Sequence, residues 1–81
     1  MVRVEKIEVT DEKATYKYFP EGSSNFGIIS LFRKTGKRHL EKELPGYDRK
    51  YYCKAMNKLV EYSNSGIFPQ SGIDAWYRFV V

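Results

Sequence analysis

The sequence predicts an α+β fold: an antiparallel β-meander of about four strands, covered on one face by a single amphipathic helix, with a short C-terminal strand or aromatic tail. Three observations predict it. Short segments up to residue 44 alternate or run apolar at strand length, residues 49–62 carry apolar side chains at helical spacing, and turn residues punctuate the junctions. With 81 residues there is room for one hydrophobic core, so residues 1–81 are expected to form a single domain.

Residues 2–9 (Val-Arg-Val-Glu-Lys-Ile-Glu-Val) interleave β-branched residues with charge and read as a strand. Val2 and Val4 share one parity, Ile7 and Val9 the other. Either a bulge falls near Glu5 and Lys6, or the strand begins only at Lys6. Asp11-Glu12 supplies a turn. Lys13 to Phe19 then alternates, with Ala14, Tyr16 and Tyr18 on one face and Lys13, Thr15 and Lys17 on the other, as in a half-buried antiparallel strand. Pro20 ends it, and residues 21–25 form a polar loop.

Phe26 to Phe32 is apolar at both parities, which predicts a central strand covered on both faces. Gly36, in Lys34-Thr35-Gly36-Lys37, suits a turn that needs a positive φ, so a hairpin follows. Arg38 to Leu44 returns as a polar strand whose alternating charges fit a sheet edge.

Pro45-Gly46 breaks the sheet and Asp48 is a good N-cap. Tyr52, Ala55, Met56, Leu59 and Tyr62 then recur at i, i+3, i+4 and i+7, predicting a helix from about Asp48 to Ser63. Gly66 is expected at its left-handed C-terminal position, with Ile67 packing back on the helix. Ile73 to Val81 reads as a last strand or a packed tail. The expected core comprises Tyr16, Ile29, Leu31, Leu40, Tyr52, Met56, Leu59 and Trp76.

The composition is that of a folded chain, 42% hydrophobic and 30% charged. Seven Tyr, five Phe and one Trp exceed what is usual; most fill the core and the remainder suit an interface. Cys53 is the single cysteine, so no internal disulfide forms, and no apolar run is long enough for a signal peptide or a membrane helix. A free thiol without such a segment points to the cytoplasm and away from membranes. Cys53 falls near the buried edge of the helix pattern and reads as a packed small hydrophobe.

At this point the chain resembles a family of small bacterial proteins. The elements that carry the resemblance are Tyr16-Lys17-Tyr18-Phe19-Pro20-Glu21-Gly22, the Lys34-Thr35-Gly36 turn, and Gly66-Ile67-Phe68-Pro69 running to Gly72-Ile73-Asp74-Ala75-Trp76-Tyr77. That family has no assigned activity or site residues, so the resemblance implies no function.

Candidate chemistry is sparse. His39 is the sole histidine and sits in a basic hairpin, where an exposed strand residue is expected. One Cys and one His do not make a Cys/His zinc site, and the acids lack the spacing of a calcium loop. Glu41 and Glu43 share a face of the fourth strand, although carboxylates at an edge are ordinarily just solvated. Residues 22–27 and 34–37 lack the spacing of a phosphate-binding loop. No metal, no cofactor and no enzymatic activity are therefore expected.

Charge stands out more. Residues 33–58 hold nine of the fourteen basic residues and only three acidic ones. Lys50, Lys54 and Lys58 fall at i, i+4 and i+8, a stripe expected on the helix face away from the core. Two functions compete on this basis. The leading one is a non-enzymatic binding module acting on a protein partner or on a second copy of itself. The alternative is a nucleic-acid binder using Arg33, Lys34, Lys37 and Arg38 of the hairpin together with Lys50, Lys54 and Lys58. It requires the two basic groups to converge.

Overall fold

A computed structural model describes residues 1–74. Strands β1 (Val2–Val9), β2 (Lys13–Pro20), β3 (Gly27–Phe32) and β4 (Arg38–Lys42) form an antiparallel meander, followed by helix α1 (Arg49–Ser65) and strand β5 (Ser71–Asp74). The sheet order is β4-β3-β2-β1-β5, with β5 antiparallel to β1. The expected α+β architecture is therefore present, and the short last strand joins the far edge. Trp76 and most of the expected segment Ile73–Val81 lie outside the described residues.

Topology explains the length of the helix. The chain leaves the sheet at β4 and re-enters beside β1, so α1 must carry it across the intervening strands. Seventeen residues at ~1.5 Å rise span ~25 Å, enough to run obliquely over four strand spacings of ~4.8 Å. It packs against β3, β2, β1 and β5. Asp48 caps it, its Oδ1 accepting from the Lys50 amide at 2.9 Å, and the amide of Gly66, at φ 77°, donates to the Tyr62 carbonyl at 2.8 Å. Only glycine takes that conformation without a Cβ penalty.

The core lies between this helix and one sheet face. Val2, Val4, Ala14, Tyr16, Tyr18, Ile29 and Leu31 meet Ala55, Met56 and Leu59, all of them buried. Leu40 and Tyr52 pack at its margin, half-buried. A register shift between Lys6 and Glu8 realises the bulge expected near Glu5 and Lys6, with Ile7 as the extra residue. Val9 opposite Ala14 thereby returns to the helix side.

Several local expectations are corrected. Ile67 is 70% exposed, and the apolar contact below the helix falls to Phe68, whose ring sits 6.4 Å from that of Tyr62. Cys53 is exposed instead of packed. The buried ridge is Ala55, Met56 and Leu59, while Lys50, Cys53, Asn57, Glu61 and Asn64 face outward. This ridge is the centre of the expected stripe, and Tyr52 and Tyr62 flank it, half-buried against the core. Finally, β3 is covered by the helix on one side only; Ile28 and Phe32 stay half-buried on the other.

Candidate binding surface on the open sheet face

Pairing register fixes which residues share the face opposite the helix. Across the sheet run Ile73, Arg3 and Phe19, then Ser71, Glu5, Lys17, Ile28 and Lys42, then Glu8, Thr15, Ser30 and His39, and last Lys13 and Phe32. No described element packs over them.

Aromatic rings and cations meet at one end of this face. Phe26, just before β3, lies 5.5 Å from Phe19 in a tilted pair. The Arg3 guanidinium sits 4.1 Å from the Phe19 centroid, and the ammoniums of Lys17 and Lys42 sit 4.5 and 4.3 Å from that of Phe26. A hollow of about 170 Å³ opens beside Phe19, with Arg3 and Ile73 in its wall. Arg3 is paired with Glu5. No carboxylate among the described residues pairs with Lys17 or Lys42.

The middle of the face is a polar line. Thr15 Oγ1 and Ser30 Oγ share a hydrogen bond of 3.1 Å, Ser30 donates to Glu41 Oε2, and Lys13 Nζ lies 3.6 Å from the same carboxylate. The Ser30 hydroxyl, then the Lys13 ammonium, hold the Glu41 carboxyl below its ordinary range against a partial desolvation. Ser30 itself is fully buried, which closes it to a substrate. Glu41 and Glu43, expected on one face, are separated by the irregular register at β4: Glu41 turns to Ser30, and Glu43 lines a small cleft with Tyr18 and Tyr52 on the helix side.

The basic residues singled out from sequence each have their own local surroundings. Arg33 is folded back, its Nη1 donating to the Thr10 carbonyl at 2.7 Å and its guanidinium 4.9 Å from the Phe68 ring. Lys34 lines an open hollow with Glu12, Phe32 and Thr35, while Lys37 and Arg38 are exposed at the hairpin and the edge strand. On the helix, Lys50 is exposed near the Tyr51 ring, Lys54 is half-buried, and Lys58 pairs with Glu61 at 3.6 Å. Of the stripe, Lys50 lies on the outer face of the helix, while Lys54 and Lys58 sit on its half-buried flank.

Sequence reasoning placed Lys13, Thr15 and Lys17 outward but passed over Phe19, Phe26, Arg3 and Lys42. The available signal was parity: Phe19 continues the outward Lys13, Thr15, Lys17 series, and an aromatic side chain on a polar face is the informative exception.

Among the described residues no three His, Cys, Asp or Glu side chains are grouped to hold a metal ion, and no helix is long and apolar enough to cross a membrane. Comparison of the chain with protein-family models, with curated proteins and with solved structures gives no match.

Proposed function

We propose that this chain is a small non-enzymatic binding module that takes an anionic partner on the open face of its sheet. The carrying observation is the convergence of Lys17 and Lys42 on the single ring of Phe26. With both ammoniums within 4.5 Å of one centroid, they lie within about 9 Å of each other, near the ~8 Å screening length at physiological salt. Two cations held that close, neither paired with a carboxylate among the described residues, repel, and an anion placed beside them relieves the repulsion. Each cation–π contact contributes only ~0.5–1 kcal/mol at an exposed site, so the lysines are readily redirected.

The non-enzymatic reading is supported by the scatter of reactive groups. His39 is on the edge strand, Cys53 on the outer side of the helix, and Ser30 buried beneath Glu41. An exposed unpaired thiol also suits a reducing compartment, in keeping with a cytoplasmic location. Self-association with the two-fold axis at the cation cluster is disfavoured, because it would set the cluster against its own copy. A partner of opposite charge is the better fit, and the resemblance to small bacterial proteins adds nothing for or against it.

Retention on a heparin column tests the reading. Exchanging Lys17 and Lys42 for Gln should shift elution to lower salt, and exchanging Lys50, Lys54 and Lys58 for Gln should shift it less, despite the larger change in charge. The reverse ranking would move the contact surface to the helix and sink the proposal.

A further inference from the structure

The open face is not merely cationic, and its other features specify the kind of anion. Resting on the reading above, we infer that the occupant is a single strand of nucleic acid, its bases stacked on Phe19 and Phe26 and its phosphates held by Arg3, Lys17 and Lys42.

An acidic protein surface or a duplex would need cations alone. Here the cations are built around rings: each of the three lies between 4.1 and 4.5 Å from a phenylalanine centroid. Every base has a π-face, so a partly exposed ring is a sequence-tolerant stacking platform, and a basic side chain beside it meets the neighbouring phosphate. The base replaces the ammonium over the ring, and the freed ammonium keeps its charge near the strand. A duplex has its bases stacked internally and offers no free π-face, so the rings would gain nothing from it.

The layout suits an extended strand. Phe19 and Phe26 are neighbours, and the hollow between Phe19, Arg3 and Ile73 has room at the β5 side. Along β3 the same face reaches Phe32, whose ring lies 5.9 Å from Lys13 Nζ, with Lys34 just beyond. Six residues at ~3.3 Å place Phe32 ~20 Å from Phe26, enough for several nucleotides. The carboxylate of Glu41 between them is engaged by Ser30 and Lys13.

Fluorescence anisotropy of a labelled oligothymidine tests the inference, with a duplex of equal length and polyglutamate as comparison probes. The variants are Phe19→Leu with Phe26→Leu, which keeps apolar volume but removes the rings, and Lys17→Gln with Lys42→Gln. Far-UV circular dichroism establishes that each is folded. Single-strand binding should be favoured over duplex, weaken on the order of fivefold or more per lost ring, and lose ~0.7 of log–log salt slope per lysine removed.

Single-strand binding that falls with the lysine variant but ignores the leucine variant overturns the inference and leaves an anion-binding face. So does equal or tighter binding of the duplex or of polyglutamate. Oligonucleotide binding indifferent to both variants overturns the face itself. Failure to bind any of the three polyanions overturns both. Sedimentation of the same proteins supplies a further arm: dimerisation abolished by the leucine variant would assign the rings to a second copy of this chain, and overturn the inference.

Discussion

The hydroxyl of Tyr16 donates to the carbonyl of Pro69 at 2.5 Å, tying the middle strand of the sheet to the loop that returns from the helix. The ring of Tyr16 also lies 5.7 Å from that of Tyr62, near the end of α1. One buried side chain thus fixes both the helix terminus and the path into β5. Tyr16→Phe keeps the packing and removes the bond, and should cost about 0.5–1.5 kcal/mol in urea unfolding.

The same residue sets an alkaline limit. Burial, with the nearby Tyr62 adding to it, pushes Tyr16 up to about 12, and burial raises Tyr18 as well. Because the folded pKa exceeds the unfolded value of 10.0, the folded chain holds protons that the unfolded chain has released. Stability should be flat with respect to these groups below pH 10 and fall as pH rises towards 12. Tyr16→Phe should flatten that fall, and denaturant midpoints across the range measure it. An unchanged alkaline slope in the variant would assign the loss to other groups.

Gly27 is a second fixed point. The ring of Tyr18 lies over it so closely that a Cβ there would overlap the ring's phenolic edge. Its φ is ordinary, so contact alone makes it glycine. Gly27→Ala should displace Tyr18 from the core and cost about 1–3 kcal/mol. A change below about 0.5 kcal/mol would mean that the Tyr18 ring rotates away freely.

Elements were legible where local chemistry and tertiary structure agree. The alternation of Ala14, Tyr16 and Tyr18, the Asp48 cap and Gly66 are each dictated by neighbours in sequence, and each is found as expected. The graded burial across the helix was not legible, because Tyr52 and Tyr62 count as fully apolar in a periodic pattern yet pack half-buried at the rim of the core. The surface was missed for a different reason. Arg3, Lys17, Phe26 and Lys42 come from three strands and a loop, and only the register brings them together. Charge clustering along the chain pointed instead to Arg33 and Lys58, which the fold engages locally.

The helix orientation makes its own prediction. Leu59 is fully buried and Cys53 exposed, six residues earlier on the opposite side. Leu59→Ala should cost about 2–5 kcal/mol, a large share of the stability of so small a domain. Cys53→Ser should stay within about 0.5 kcal/mol of the parent. The folded protein should also react with a thiol reagent as fast as the unfolded chain; strong protection of Cys53 would place it against the core.

The polar line across the open face predicts the acid side of the stability curve. The Ser30 hydroxyl is the main cause holding Glu41 below its ordinary 4.5, with Lys13 assisting. A carboxylate whose folded pKa is depressed stabilises the fold above its unfolded value, and that contribution disappears as pH falls through the folded one. The parent should therefore lose stability below pH 4.5. Ser30→Ala should be less stable near neutrality, because it removes a hydrogen bond to a charged group and leaves Thr15 without its partner. The gap between the two proteins should narrow as Glu41 protonates, leaving the part that comes from the Thr15 bond. Lys13→Gln should show the same narrowing from a smaller starting difference, since the ammonium is partly solvated and 3.6 Å away. A gap between parent and Ser30→Ala that stays constant through the acid range would show that Ser30 contributes through packing and its bond to Thr15, with no net preference for the Glu41 anion.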